Sequence, residues 1–169
     1  MFKINDYVFY GARGVCQIAD LRMVELGGMD AQECYVLKPL AHVATNIYVP
    51  LSNDEILGHI RPIMSKDQII DLIDHMPDEE TSWISDDRER SKAYAARVGS
   101  CDSRELIQLV KTFYLEKSHH SRSKRLSASD GKIMGAAERL LYEEFAFVLG
   151  IDPKEVLPFI QARLPQHGR

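Results

Sequence analysis

Paired cysteines and long apolar runs are both missing from this chain of 169 residues. Its three cysteines are odd in number and form no Cys-x-x-Cys pair, which excludes a disulfide framework and a zinc knuckle. The longest apolar run, Phe145–Leu149, is far shorter than the ~20 residues that a membrane span needs. The N-terminus carries an acid where a secretory signal has its apolar stretch. We therefore expect a cytoplasmic protein without membrane association.

Motifs for catalysis are also missing. The chain has no Gly-x-Gly-x-x-Gly, no Gly-Lys-Ser phosphate loop, no Gly-x-Ser-x-Gly and no His-Glu-x-x-His. His119 and His120 are adjacent, and adjacent helical side chains point about 100° apart, which suits no simple metal site. We therefore expect no catalytic residues, no metal, no cofactor and no small-molecule substrate, and we predict that the chain is not an enzyme.

The chain as a whole has no excess of positive charge, with 21 Lys and Arg against 25 Asp and Glu. This balance excludes a protein that coats nucleic acid by bulk electrostatics, because such binding needs cations that neutralise phosphates. The charge is segregated, however. Residues 67–87 hold eight acids and no Lys or Arg, whereas residues 88–125 hold ten bases and four acids. Any contact with nucleic acid must be local or assisted by another protein.

Residues 1–63 contain short segments typical of β-strands. The segments are rich in β-branched and aromatic residues, end at Gly, Pro, Asn or Asp, and lie at Tyr7–Tyr10, Gly14–Ile18, Glu33–Lys38 and Asn46–Val49. Gly27-Gly28 indicates a hairpin turn. Strands at roughly ten-residue spacing favour a small, strongly bent sheet or open barrel over residues 1–63.

From Ser65 onward the apolar period changes to that of an α-helix. Capping residues mark five helix starts, at Ser65, at Ser85 or Asp86, at Asp102 or Ser103, at Ser127, and at Asp152. Gly99 and Gly150 are placed to end two of these helices. The pattern predicts an α+β chain in which a bundle of about five α-helices, over residues 64–169, follows the β unit.

Trp83 is the only tryptophan and lies between the acidic and the basic segments. An isolated tryptophan is commonly a core or boundary residue. Alternatively, a flat ring at the edge of a cationic surface can act as a wedge in a minor groove while neighbouring cations hold phosphates. The basic segment likewise has two interpretations, a solvated helix face or a DNA-binding patch, and position alone leaves both open.

Several short motifs follow one another in a characteristic order. They are Tyr7-Val8-Phe9-Tyr10 with Gly14-Val15, the run Tyr35–Lys38, Val49-Pro50, a tryptophan before a basic helix, and Leu126-Ser127-Ala128 at the start of a late helix. In order and spacing, over about residues 1–150, they resemble the CarD/CdnL family of bacterial transcription regulators.

The resemblance implies that the N-terminal domain is a small Tudor-like β barrel, which docks on the β subunit of bacterial RNA polymerase through an exposed strand. It also implies a C-terminal domain on promoter DNA at the upstream edge of the melted region. There the tryptophan enters the minor groove with little sequence specificity, and the protein stabilises the open complex. The implied polymerase-binding residues are Val24, Ile47, Tyr48 and Val49. The implied DNA-binding residues are Trp83, Arg88, Arg90, Lys92, Arg97, Lys124 and Lys132.

The chain departs from the family pattern at two places. Ile84–Asp87 separates Trp83 from the first base, and its two acids would repel phosphates unless they cap the helix and point away. Tyr48 stands where some members have an arginine that contacts the polymerase, so an ion pair is lost. The alternative function is a protein-interaction adaptor that uses the β module without touching DNA.

Overall fold

The computed structural model describes residues 1–41, 45–119 and 125–164. The chain divides into two compact units, Met1–Ile63 and Met64–Arg169. The N-terminal unit is an antiparallel sheet of five strands in the order β4-β3-β2-β1-β5. Its elements are β1 (Tyr7–Tyr10), β2 (Val15–Val24), β3 (Gln32–Pro39), β4 (Ile47–Pro50), the short helix α1 (Asp54–Leu57) and β5 (Ile60–Pro62).

The sheet does not close, so the expected barrel is corrected to an open sheet. Within the described ranges, β4 pairs only with β3 and β5 pairs only with β1. Closure would require these two terminal strands to pair with each other, but they are only four and three residues long. A register shift between Ile18 and Asp20 interrupts the β2–β3 ladder, and such irregularities bend a strand.

The core of the N-terminal unit lies on one face of this sheet. It contains Val8, Cys16, Ile18, Tyr35, Leu37, Val49 and Ile60. The register places Tyr35 opposite both Val49 and Leu21, so three neighbouring strands present side chains to the same core. The opposite face carries Tyr48, Val36 and Asp20, which are also in register.

The C-terminal unit contains α2 (Lys66–Asp74), α3 (Asp87–Val98), α4 (Ser103–His119), α5 (Ala128–Leu149) and α6 (Pro153–Arg163). The predicted starts are confirmed: Ser65 and Asp152 form capping boxes, Asp86 and Ser127 are N-caps, and the Asp102 side chain accepts from Arg104 N–H. Gly99 and Gly150 end their helices. Gly150 has a φ of 69°, a left-handed conformation that glycine adopts without steric cost.

Helix α5 carries the longest buried face of the helical unit. Its Leu140, Leu141 and Phe145 are almost fully buried, as are Leu109 and Phe113 of α4. Both helices therefore contribute apolar side chains to the core of this unit. No helix in the described part of the chain is both long enough and apolar enough to cross a membrane.

Candidate functional site

Trp83 is half-buried in the irregular segment before α3. Its ring meets Tyr94 and Phe113 edge to face, with centroid distances of 6.3 and 6.0 Å. Tyr94 and Phe113 are themselves buried and lie 5.6 Å apart. The tryptophan is therefore anchored to the helical core along part of its surface, and the rest of the ring stays exposed.

The backbone on both sides of Trp83 is tied to Tyr94. The Tyr94 hydroxyl donates to the carbonyl oxygen of Ser82 and accepts from the N–H of Ile84 at 3.3 Å. Burial raises the pKa of this phenol, so it stays a neutral hydroxyl that can both donate and accept. One side chain of α3 thus holds the residue before and the residue after the tryptophan.

Arg90 of α3 provides the second anchor. The carbon of its guanidinium lies 4.3 Å from the centroid of the Trp83 ring. Its Nε and Nη2 donate to the two carboxylate oxygens of Asp130, at 2.9 and 2.8 Å, and Nη2 also donates to Asp87 at 2.7 Å. Nη1 donates to the carbonyl oxygens of Ile84 and Ser85, at 2.9 and 3.4 Å. All five N–H groups of a guanidinium are therefore engaged.

The placement of Arg90 differs from that of an exposed phosphate-binding cation. The residue is 4% exposed, and its donors are bonded within the protein, so its guanidinium is not presented to a phosphate. The sequence could not show this because the principal partner, Asp130, is 40 residues away along the chain. Arg90 belongs to the structure that supports Trp83.

The carboxylate of Asp130 is 3% exposed and lies in the first turn of α5. Burial alone would raise its pKa, but hydrogen bonds from Arg90 and Ser127 outweigh burial and hold the pKa below its ordinary value. The bond to Asp130 raises the already high pKa of Arg90. The pair is therefore ionised at neutral pH.

The two acids that separate Trp83 from the first base have local partners. Asp86 is the N-cap of α3, where its side chain accepts from the N–H of Glu89 at 2.9 Å. Asp87 pairs with Arg90. One carboxylate therefore caps the helix and the other forms an ion pair, although the side chain of Asp87 remains 84% exposed.

The acidic segment before Trp83 is held by bases of α4. Glu79 is 7% exposed and accepts from Arg104 Nε at 2.7 Å and from Gln108 at 2.8 Å. Lys111 donates to the carbonyl oxygens of Pro77 and Glu79, at 2.6 and 2.7 Å. Arg104 stays exposed, with 67% of its side chain accessible, but it and Lys111 each donate to an acceptor in this segment, so part of the positive charge of residues 88–125 is paired within the protein.

Three of the predicted DNA-binding cations are exposed, namely Arg88, Lys92 and Lys132. Arg97 is half-buried and donates to the side-chain oxygen of Gln108 at 2.6 Å. Lys124 lies outside the described residues. The first turn of α5 meets α3 where the hydroxyls of Ser91 and Ser129 are 3.0 Å apart. Lys92 follows Ser91, and Lys132 lies one turn after Ser129, so the exposed cations sit on neighbouring helices.

A surface cleft of about 570 Å³ borders the tryptophan. Its walls include Trp83, Arg90, Lys117, Arg125 and Ser127. The ring therefore forms part of a recessed surface of mixed charge and is not sealed inside the helical bundle.

In the N-terminal unit, β4 supplies a free sheet edge. Leu51 N–H donates to the carbonyl oxygen of Glu33 at 2.9 Å, which makes these two residues a hydrogen-bonded pair of the β3–β4 ladder. Such pairs alternate in antiparallel sheets, so Tyr48, opposite Val36, points its N–H and C=O away from β3. Pro50 occupies the next outward position, which is where an edge strand tolerates proline.

The four predicted polymerase-binding residues differ in accessibility. Val49 is 0% exposed and packs in the core, because its alternation along β4 points its side chain inward. Ile47 is half-buried on the same face. Tyr48 is half-buried on the opposite face, and Val24 is half-buried at the end of β2.

Sequence reasoning missed Arg22 of β2. Its Nη2 donates to the Tyr48 hydroxyl at 3.1 Å, and its guanidinium carbon lies 5.7 Å from the Tyr48 ring centroid. Arg22 reaches across β3, a contact between residues 26 positions apart that only the strand order reveals. A guanidinium is therefore present beside Tyr48 although the chain has no arginine at that position.

The chain is thus a two-part α+β protein, in which an open β-sheet unit is followed by a helical unit that holds a half-exposed tryptophan. Residues 2–64 match the CarD-like/TRCF RID domain, and residues 70–161, more than half of the chain, match the CarD C-terminal domain. No curated protein sequence matches the chain significantly. The chain belongs to the CarD family, and these matches indicate a transcription regulator that interacts with RNA polymerase.

Proposed function

We propose that residues 1–63 bind the β subunit of bacterial RNA polymerase, and that residues 64–169 lie on promoter DNA upstream of the melted region. In this proposal the protein acts in the cytoplasm, without a catalytic step, metal or cofactor, and stabilises the open promoter complex. The observation that carries the proposal is the anchored but half-exposed ring of Trp83, which lines a surface cleft.

Trp83 is suited to act as a wedge. A side chain inserted between base steps must offset an unstacking cost of a few kcal/mol per step. The contacts with Tyr94, Phe113 and Arg90 hold the ring in place before any ligand arrives, so little conformational entropy remains to be lost on binding. DNA that is already distorted at the edge of the transcription bubble lowers the unstacking cost further. The wedge therefore favours the opened promoter.

Phosphate contacts are assigned to Arg88 and Lys92 of α3, to Lys132 of α5 and to the partly buried Arg97. With so few cations, the affinity for free DNA is expected to fall in the non-specific range, with a Kd of about 10⁻⁴ to 10⁻⁶ M. Tethering to polymerase supplies an effective concentration near millimolar, which is sufficient to occupy such a site. Targeting then comes from the tether, and sequence specificity is low.

The polymerase contact is assigned to the free edge of β4. The outward N–H and C=O of Tyr48 can extend the sheet with a strand of the partner, a common mode of protein recognition. Arg22, Ile47 and Val24 provide flanking side chains, and the half-exposed Arg22 guanidinium, which also lies 3.9 Å from Asp20, can contact an acidic partner. In this proposal the edge of β4 is the docking surface, so polymerase binding does not require the sheet to close into a barrel.

Open-complex lifetime is the decisive measurement. Trp83→Ala is expected to shorten the lifetime at a slowly opening promoter while leaving polymerase binding unchanged. Tyr114→Ala is the matched control, because Tyr114 is an exposed aromatic residue, 42% accessible, of the same helical unit. Equal lifetimes for wild type and Trp83→Ala, with both proteins folded and bound to polymerase, would eliminate the wedge.

The second candidate is a protein-interaction adaptor that never touches DNA. It is favoured by one observation: Arg90, Arg104 and Lys111 donate to acceptors of the same unit, so part of the positive charge counted in the sequence is already paired within the protein. Footprinting of a polymerase–promoter complex separates the two candidates. Protection just upstream of the bubble supports the regulator on DNA, and an unchanged footprint supports the adaptor.

A further inference from the structure

We propose that Arg90 is a positioning residue for Trp83, and that its ion pair with Asp130 sets the orientation of the indole on the surface of the helical unit. This inference rests on the proposed function for its consequence at promoters. The position of the indole itself can be tested in the free protein.

The acceptors of Arg90 come from three places in the chain. Asp130 is in the first turn of α5, Asp87 is in the first turn of α3, and the two carbonyl groups, of Ile84 and Ser85, follow Trp83 directly. One guanidinium therefore connects the loop that carries the tryptophan to two helices. Because the Ile84 carbonyl belongs to the residue next to Trp83, fixing it limits the rotation of the backbone that carries the indole.

The same guanidinium also contacts the ring. Its carbon lies 4.3 Å from the ring centroid, a distance at which a cation is attracted to the face of an indole. Tyr94 and Phe113 meet the ring edge to face, with interplanar angles of 67° and 82°. The aromatic contacts set where the ring rests, and Arg90 adds a directional contact that the aromatic residues do not provide.

Only arginine satisfies this set of contacts. A lysine offers three donors on a compact ammonium, whereas the site uses the planar fork for Asp130 and the remaining N–H groups for Asp87 and the carbonyls. Arg90→Lys keeps the positive charge but loses the bidentate geometry. The Arg90→Lys variant therefore tests the positioning of Trp83 while the positive charge is unchanged.

A purely structural role for the ion pair makes a different prediction. Buried ion pairs are often replaceable by packed apolar side chains without loss of stability. The double variant Arg90→Met with Asp130→Leu removes both charges together and leaves no unpaired buried charge, yet it provides no donor for the carbonyls of Ile84 and Ser85. Under our proposal the double variant keeps the fold and misplaces the tryptophan.

The test uses the fluorescence of the full chain, since Trp83 is its only tryptophan. Arg90→Lys and the double variant are expected to shift the emission maximum to longer wavelength and to raise the acrylamide quenching constant, measured well below the unfolding transition. Arg163→Lys is the matched control, because Arg163 makes a bidentate pair with Asp74 in the same unit, at 2.6 and 2.8 Å. The control is expected to leave both signals unchanged.

The promoter assay completes the test. Arg90→Lys is expected to shorten the open-complex lifetime toward the value of Trp83→Ala, with polymerase binding unaltered. The inference is overturned if emission and quenching do not respond to either Arg90 variant. It is also overturned if they respond while the lifetime does not, provided that Trp83→Ala does shorten it. If Trp83→Ala has no effect on lifetime, the proposed function fails, whereas the assignment of Arg90 to the indole is judged by fluorescence alone.

Discussion

Arg104 Nε lies 2.7 Å from a carboxylate oxygen of the buried Glu79, so the basic segment of the chain neutralises part of the acidic segment. The pair joins α4 to the stretch between α2 and α3. Lys111 reinforces the connection by donating to two carbonyl oxygens of that stretch. Two charge runs that look like separate surfaces in the sequence thus form one internal attachment that carries Trp83.

Removal of the Glu79 carboxylate should therefore loosen this attachment. Glu79→Ala leaves Arg104 and Gln108 without their buried acceptor, and we expect the free energy of unfolding to fall by about 1–3 kcal/mol. Glu80→Ala is the control, because Glu80 is exposed, and it should change the free energy by less than about 0.5 kcal/mol. Urea denaturation measures both values. Equal stabilities of the two variants would contradict the internal role of Glu79.

The same carboxylates predict a dependence of stability on pH. Burial opposes ionisation of Asp130 and Glu79, but their hydrogen bonds prevail and lower both pKa values in the folded state. A depressed carboxylate pKa stabilises the fold above the unfolded value, near pH 4, and the contribution disappears as pH falls through the lower folded value. Unfolding free energies from about pH 6 down to pH 2 should therefore decline most below pH 4.

Asp130→Asn supplies the corresponding control for pH. The amide cannot titrate, so the variant should be less stable at neutral pH and should show a shallower decline in acid than the wild type. A decline as steep as that of the wild type would mean that Asp130 does not contribute to the pH dependence.

The exposed cations predict the salt dependence of DNA binding. Arg88→Ala, Lys92→Ala and Lys132→Ala should each reduce the slope of log K against log salt by about one, because each variant removes a single cation from the phosphate backbone. Lys154→Ala is the control, because Lys154 is an exposed base in the first turn of α6, away from α3 and the start of α5. An unaltered slope in all three variants would identify this surface as a solvated helix face.

Local signals in the sequence predicted much of the fold. Ser65, Asp86, Ser127 and Asp152 were recognisable as caps because a cap acts on backbone groups two or three residues away. The barrel was not confirmed because closure depends on the pairing of distant strands, and no short pattern specifies which strands end a sheet.

The candidate site shows the same contrast between features that depend on neighbouring residues, which could be predicted, and features that depend on distant residues, which could not. Trp83 could be singled out by its place between two charge runs, but the role of Arg90 depends on Asp130, 40 residues later. Arg22 and Tyr48 likewise meet only because β3 lies between their strands. A basic residue in a sequence is an unassigned donor, and only the fold decides whether its acceptor is a phosphate or a carboxylate of the same chain.

Polymerase docking can be tested at a single residue on the edge of β4. Tyr48→Pro removes an N–H that points away from β3, at a position equivalent to that of Pro50, so the pairing of β3 with β4 should survive. If a polymerase strand extends the sheet here, binding to the isolated β subunit should weaken by the worth of one hydrogen bond, about 0.5–1.5 kcal/mol, or roughly 2- to 13-fold in Kd.

Tyr48→Ala is the matched variant for this edge. It keeps the backbone N–H but removes the same ring and hydroxyl that Tyr48→Pro removes, so the difference between the two variants isolates the N–H from the contact with Arg22. We expect Tyr48→Pro to weaken binding more than Tyr48→Ala, since main-chain hydrogen bonds supply most of the affinity in strand addition and side chains supply specificity. Equal losses in the two variants would place the contact on the outer face of the sheet, at Tyr48 and Arg22, and would leave its free edge without a partner.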